Sequence, residues 1–222
     1  MNSLKLFLKL GGFGLGIVFF VGCAQSGAEW HCPTCNKDNL IGESSSAFVP
    51  TNTDSIFAPK TTWVKDTGKP MSLEELAGGP CVLSFIFTSC SFKCPITVDN
   101  MRQIEASLPR SGRSHCRFVL ITFDPEFDTS EILRRYRSAH RLKGDNWFLL
   151  RGEPSEVNAL AKRLNFGYIA NGVGGFNHDS KISVLDADGR LVYQNSGLYG
   201  GVSELQLKVR ELLKPRPLEN PL

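Results

Sequence analysis

The chain has 222 residues, of which 41% are hydrophobic and 21% are charged, and its formal net charge is +3. This composition excludes an intrinsically disordered chain and allows one domain of ordinary size with a hydrophobic core. The sequence has no basic patch interleaved with aromatic residues, which argues against nucleic acid as a partner.

The N-terminal segment predicts export from the cytoplasm. Two lysines precede an apolar run of 13 residues, Leu10 to Gly22, whereas a spanning helix needs roughly 20. This pattern is typical of a secretory signal peptide over residues 1–22. The sequence "FVGC" resembles a bacterial lipobox, with Phe20 where Leu is usual, in which Cys23 receives a lipid. We expect a membrane-anchored lipoprotein that faces the periplasm; an uncleaved anchor and plain secretion are the alternatives.

Residues 23–60 read as a tether, because "GESSSAFVPTNTDS" is rich in Ser, Thr, Asn and Pro. Within it, "WHCPTC" contains Cys32 and Cys35 at a Cys-x-x-Cys spacing. This is half of a zinc knuckle without a visible second half. A local disulfide, an auxiliary copper or redox role, and no function remain open for this pair. Outside the cytosol, thiols tend to oxidise unless they are kept reduced or bound to metal.

The folded domain is expected over residues 61–214, with a tail at 215–222. Its first element, "TTWVKDTGKPMSL", predicts a hairpin that turns at Asp66–Lys69. Ser72 and Glu75 have capping-box spacing at the start of a helical turn. The apolar run "PCVLSFIFT" predicts a strand buried on both faces, and Pro95 can begin the helix that follows.

The remaining pattern alternates strands and helices. "CRFVLITFD" and "NWFLLRG" predict buried strands, and Thr129 or Ser130 can cap a helix that runs to about Leu142. "PSEVNALAKRLN" predicts a helix, "KISVLDADGRLVYQ" a hairpin and "GVSELQLKVRELL" a closing helix. The order βαβαβα, then a β-hairpin and a helix, indicates a mixed central sheet with helices on both faces, as in a thioredoxin-like α/β fold.

Cys90 and Cys94 in "FTSCSFKCP" lie where a buried strand ends and a helix begins. Ligands gather at this edge of such sheets. We expect Cys94 to lie just before the first helical turn, where the helix dipole favours its thiolate. The pair is compatible with thiol–disulfide exchange, with metal binding and with a structural disulfide.

His178 is the third candidate, in the Gly- and Asn-rich stretch "NGVGGFNH", which predicts a loop. Two thiolates and one imidazole form a donor set suited to Cu(I), although a single loop histidine is also commonly solvated. Cys81 and Cys116 are expected within strands as buried apolar residues. His115 and His140 are expected at exposed positions.

Four sequence blocks resemble the Sco/SenC family of thioredoxin-fold copper chaperones: "FTSCSFKCP", "LITFDPEFDT", "NHDSKISVLDADGRLV" and "TGKPMSLEELAGGPCVLSFIFTSC". The resemblance covers roughly Asp54 to Leu213. The first block is similar to the family's Cys-x-x-x-Cys-Pro loop. In the third, His178 lies eight residues before Asp186, as in the family's segment with the ligand histidine.

The resemblance implies that Cys90, Cys94 and His178 bind copper, as Cu(I) or Cu(II), and makes Asp124 a candidate for orienting these ligands. Alternatively, Asp124 is a turn residue that caps the next helix. The implied partners are the cytochrome c oxidase subunit that carries the CuA centre and other periplasmic copper or thiol-redox proteins. A metal-independent thiol–disulfide oxidoreductase or peroxidase, with Cys90 and Cys94 as the redox pair, is the alternative function.

Overall fold

The computed structural model describes residues 54–57, 61–172, 174–195, 198 and 201–214. The predicted first hairpin is present as β1 (Thr62–Lys65) and β2 (Pro70–Ser72), which pair antiparallel. A 3-10 helix (Leu73–Leu76) follows, and its capping box between Ser72 and Glu75 is formed. The local sequence signals therefore predicted this region in detail.

A seven-stranded mixed sheet forms the centre of the domain. Besides β1 and β2, its strands are β3 (Cys81–Ile86), β4 (Arg117–Thr122), β5 (Trp147–Arg151), β8 (Ile182–Leu185) and β9 (Leu191–Asn195). Their order in the sheet is β2-β1-β5-β4-β3-β8-β9. The three middle strands, β3, β4 and β5, are parallel to one another. Every residue of β3 is buried, as its continuous apolar sequence predicts.

Helices connect these strands and cover the sheet. Their bounds are α1 (Lys93–Ser107), α2 (Arg110–His115), α3 (Ser130–Ala139), α4 (Pro154–Arg163) and α5 (Val202–Leu212). Thr129 caps α3 through a hydrogen bond from the Ile132 amide. This helix ends before the predicted Leu142, because Arg141 takes a left-handed backbone conformation with φ of 54°.

Three elements differ from the sequence predictions. Helix α2 was not predicted, and it places Cys116 directly before β4 rather than within a strand. The stretch around His178 is not a loop, because β6 (Tyr168–Ala170) and β7 (Phe176–His178) pair antiparallel. Both strands have only three residues, too few for a hydrophobic period to show. The Asn171-Gly172 pair between them is a hairpin-turn signal that could have identified them.

The core extends beyond the predicted domain boundary at residue 61. Ile56 and Phe57, which we assigned to the tether from its composition, are 3% and 4% exposed. The Ile56 amide donates to the Gly189 carbonyl at 2.9 Å, in the turn between β8 and β9. A buried apolar pair at the end of a polar stretch therefore belongs to the fold, although local composition assigned it to the linker.

Within the described ranges, none of the helices is both long and apolar enough to cross a bilayer. Cys23, Cys32 and Cys35 lie outside the described residues, and so does the predicted signal peptide.

Candidate metal centre

The chain direction of the sheet brings the candidate ligands to one edge. Cys90 follows the carboxyl end of β3, four residues after Ile86. Strand β8 runs antiparallel to β3, with Ile182 paired to Ser84, so β8 begins at the edge where β3 ends. His178 is the last residue of β7 and lies four residues before the start of β8. Residues separated by more than 80 positions therefore meet above the same two strands.

Cys90, Cys94 and His178 form a group whose potential ligand atoms all lie within 4.8 Å of one another. The Cys90 Sγ lies 3.7 Å from the His178 Nε2. Both cysteines are free thiols in this structure; Cys90 is half-buried and Cys94 is 1% exposed. Two sulfur donors and one imidazole nitrogen fit a soft ion such as Cu(I), so the residues present suit the metal that the sequence predicted.

Cys94 lies within the first turn of α1, not before it as we expected, because the helix begins at Lys93. The helix amides consequently point at the other cysteine: the Cys94 N–H donates to the Cys90 Sγ at 3.4 Å. The expectation that the helix start favours the Cys94 thiolate is therefore wrong. The sulfur four residues earlier receives this hydrogen bond.

The two thiols are opposite in acidity. A hydrogen bond from the Cys94 side chain lowers the pKa of Cys90 to about 4, and amide hydrogen bonds from Cys94 and Phe92 act in the same direction against desolvation. The pKa of Cys94 is raised well above its usual range, because its thiol is hydrogen-bonded to the Cys90 sulfur and because it is buried. At neutral pH Cys90 is the thiolate and Cys94 is the thiol.

The His178 ring is oriented by its own chain. Its Nδ1 lies 2.5 Å from the Asp179 carbonyl oxygen. A carbonyl only accepts hydrogen bonds, so Nδ1 carries a proton, and Nε2 is the ring atom that faces the Cys90 sulfur. With Nδ1 held by the backbone, Nε2 is the ring atom available to a metal.

An aromatic cluster surrounds the His178 ring. Its centroid is 5.3 Å from that of Phe123 and 5.6 Å from that of Phe87, the latter in an edge-to-face arrangement. Phe123 is 3% exposed and also contacts Phe176 and Tyr168, with centroids at 5.3 and 4.8 Å. Sequence reasoning missed this cluster, because its members come from separate segments that only the fold brings together.

Asp124 and Asp128 have different environments. Burial raises the pKa of Asp124, and the Asp124 carboxyl accepts a hydrogen bond from the Phe127 amide. This contact is that of a turn residue. Asp128 is fully buried and accepts hydrogen bonds from the Thr88 amide at 3.1 Å, from the Thr88 hydroxyl and from the Thr122 hydroxyl. Thr88 begins the loop that carries Cys90. The carboxyl that contacts the cysteine loop is therefore Asp128, which the sequence analysis did not single out.

The remaining cysteines and histidines lie away from this group. Cys81 and Cys116 are free and fully buried, as predicted, and burial raises the pKa of both thiols, that of Cys116 to about 12. His115 is exposed, as predicted. His140 is only half-exposed, because its ring packs against Tyr136 with centroids 4.1 Å apart, and its pKa is lowered by burial.

Cys90 and His178 open into a cleft of about 870 Å³ between the cysteine loop and the β6–β7 hairpin. Phe92 and Ile169 line the same cleft and are 58% and 68% exposed. The site is thus accessible from solvent on the Cys90 side, whereas the Cys94 sulfur faces the interior. A partner that exchanges a ligand or a disulfide would meet Cys90 first.

Comparison with known proteins identifies the fold and the family. A protein named "Putative copper-binding protein" from Stutzerimonas stutzeri is 31% identical over 137 residues, which are 60% of this chain and 66% of that protein's length. A SCO1/SenC family lipoprotein from Bacillus anthracis has a similar structure, with a TM-score of 0.66, 22% identity, and coverage of 74% of this chain and 98% of that one.

Yeast Sco1 with copper bound is also similar, with a TM-score of 0.60, 20% identity, and coverage of 75% and 92% of the two chains. These structural likenesses confirm the thioredoxin-like fold with its central mixed sheet. The SCO1/SenC family model matches residues 50–213, most of the chain. The chain therefore belongs to the SCO1/SenC family.

Proposed function

We propose that Cys90, Cys94 and His178 bind copper, and that the protein delivers this metal to the CuA centre of cytochrome c oxidase or reduces the cysteines of that centre. One observation carries the proposal: two sulfur atoms from one loop–helix junction and an imidazole nitrogen from a distant strand lie within 4.8 Å of one another. The name of the Stutzerimonas relative and the copper-bound yeast Sco1 support the choice of metal.

Anaerobic titration of the reduced protein with Cu(I) tests the copper site. We expect one ion per chain, and a large loss of affinity in Cys90→Ser and in His178→Ala. Unchanged stoichiometry and affinity in both variants would refute the site. The assembly role is tested in cells: Cys90→Ser should lower the CuA content of the oxidase without lowering the amount of the protein itself.

A thiol–disulfide reductase is the second candidate, favoured by the opposite acidities of the two thiols. In this reaction the Cys90 thiolate attacks a client disulfide and forms a mixed disulfide. Cys94 loses its proton and attacks the Cys90 sulfur, which releases the client as a dithiol and leaves a Cys90–Cys94 disulfide. Two electrons pass from the chain to the client. This function predicts that His178→Ala retains activity, whereas either cysteine change abolishes it.

We also propose that the mature protein is tethered to the membrane through a lipid on Cys23, with the domain in the periplasm. The lipobox-like sequence supports this, as does the similarity to the SCO1/SenC family lipoprotein from Bacillus anthracis. Cys23→Ser should move the protein from the membrane fraction to the soluble fraction or leave an uncleaved precursor. Mass spectrometry of the wild-type N-terminus would identify the lipid; an unmodified Cys23 would exclude it.

A further inference from the structure

One lysine side chain connects the helix that carries Cys94 with the strand that carries His178. The Lys93 Nζ donates a hydrogen bond to the His178 main-chain carbonyl at 2.7 Å. Lys93 is the first residue of α1 and directly precedes Cys94. It is half-buried, so the hydrogen bond is partly protected from water. A flexible side chain held in this way forms a defined contact between two ligand-bearing elements.

The β6–β7 hairpin depends on such contacts for its position. Its two strands have three residues each and form a sheet of their own, and in the described part of the chain neither pairs with the seven-stranded sheet. An isolated pair of short strands is marginally stable by itself. The hydrogen bonds between Asp179 and Gly167 are internal to this segment and do not position it on the domain. Its position therefore depends on contacts with α1, with the aromatic cluster and with α4, where the Tyr168 hydroxyl donates to the Asn158 side-chain oxygen at 2.8 Å.

Two polar contacts join α1 to the end of the hairpin and to the residue two positions beyond it. Besides the Lys93 hydrogen bond, the Thr97 hydroxyl lies 3.0 Å from the Ser180 hydroxyl, one helical turn further along α1. Only the Lys93 contact is made to the ligand residue itself. Because the His178 ring is hydrogen-bonded to the adjacent Asp179 carbonyl, the ring moves with this stretch of backbone. Displacement of the His178 carbonyl would also displace Nε2 from Cys90.

We propose that Lys93 is a positioning residue that holds the His178 Nε2 at the two cysteine sulfurs, and thereby sets the contribution of the histidine to metal binding. This inference rests on the proposed copper site and adds a residue that does not bind the metal. Partners that orient metal ligands typically change affinity by about 10- to 100-fold when they are removed. Lys93 acts through His178, so its effect should require His178.

The test is a double-mutant cycle on anaerobic Cu(I) affinity in the full chain, measured by competition with a chromophoric chelator. Lys93→Met removes the donor and should weaken binding by about tenfold or more. Lys93→Arg retains a charged donor and should restore most of the affinity. In the His178→Ala background, Lys93→Met should have no further effect, because the ligand that Lys93 positions is absent.

Two further readouts separate positioning from a general loss of stability. In the metal-free protein, Lys93→Met should increase amide hydrogen exchange in Phe176–His178, while exchange in β3 and β4 stays unchanged. In the Cu(II)-loaded protein, the same variant should weaken the nitrogen hyperfine coupling in the electron paramagnetic resonance spectrum. Both effects should be reversed in Lys93→Arg.

Arg151→Met is the matched control. Arg151 also donates from a basic side chain to a backbone carbonyl, that of Pro125, at 2.7 Å and near the same edge of the sheet. It should leave copper affinity and hairpin exchange unchanged.

The outcomes distinguish this inference from the copper proposal. If His178→Ala weakens copper binding and Lys93→Met does not, Lys93 has no positioning role although the copper site stands. If Lys93→Met weakens binding equally with and without His178, Lys93 acts by its charge or through overall stability, and the inference is also overturned. If His178→Ala itself has no effect, the copper site fails first.

Discussion

The Cys94 amide donates a hydrogen bond to the Cys90 Sγ at 3.4 Å, so the start of α1 stabilises the sulfur of the earlier cysteine rather than that of its own. This arrangement divides the pair into an accessible thiolate and a buried thiol. The same division serves both proposed functions: an exposed sulfur makes first contact with a metal donor or a disulfide, and a protected sulfur completes the site.

The first prediction concerns the alkylation of Cys90 in reduced, metal-free protein. Its pKa is lowered to about 4, so it remains a thiolate at pH 6 as at pH 8, and iodoacetamide should label it at similar rates at both pH values. The alkylation of an ordinary thiol slows by about 80-fold from pH 8 to pH 6, because its thiolate fraction falls. Mass-spectrometric peptide mapping measures each rate.

Cys94 serves as the internal comparison, since it is 1% exposed and its pKa is raised. It should remain unlabelled until the protein is unfolded in denaturant. Labelling of Cys90 that declines with falling pH as steeply as that of free cysteine would contradict the thiolate assignment.

The second prediction compares two carboxyl groups. Asp128→Ala should destabilise the fold by about 3 kcal/mol, because it removes the acceptor for buried donors on Thr88 and Thr122. Because Thr88 begins the cysteine loop, copper affinity should fall as well. Asp124→Ala removes a partly exposed turn acceptor and should cost about 1 kcal/mol or less. Urea unfolding and Cu(I) competition measure the two quantities. If Asp124→Ala loses more copper affinity than Asp128→Ala, then Asp124 is the carboxylate that orients the ligands.

The third prediction concerns the aromatic cluster. Phe123→Ala should cost about 3–5 kcal/mol in the free energy of unfolding and should also lower copper affinity, because a cavity opens beside the His178 ring.

Phe118→Ala is its control. Phe118 is also fully buried, but it stacks on Trp147, at the beginning of β5 and the opposite end of the sheet. The two variants should lose similar stability, measured by urea unfolding, and only the Phe123 variant should lose affinity. Equal affinity losses would mean that Phe123→Ala lowers copper affinity through a general loss of stability and not through the His178 ring.

The fourth prediction separates stability from the site. Asp66 is 2% exposed and is paired with Arg137, whose Nε lies 2.5 Å from the carboxylate. Arg137→Met leaves this buried charge without its partner and should destabilise the protein by about 3–5 kcal/mol. Arg135→Met breaks an exposed pair with Glu131 and should cost about 0.5 kcal/mol or less. Thermal unfolding measures both, and copper affinity should be unchanged at temperatures where each variant is folded.

Sequence alone determined the elements with strong local signals. Hydrophobic runs predicted β3, β4 and β5, and the capping box predicted the helical turn after Ser72. The spacing of Cys90 and Cys94 at a strand–helix junction, together with the family resemblance to the segment of His178, predicted the three residues that the fold brings together. These features are local or carried by motifs, so they can be recognised without coordinates.

Only the tertiary structure decided which cysteine is the thiolate, which carboxyl contacts the cysteine loop and which side chain holds His178. Cys90, Asp128 and Lys93 have these roles because of contacts across 4, 40 and 85 positions of the chain. The acidity of a thiol depends on which donors point at it and how deeply it is buried, and neither follows from spacing along the chain. The three candidate ligands could therefore be named from the sequence, whereas their protonation and positioning depend on the packing of distant segments.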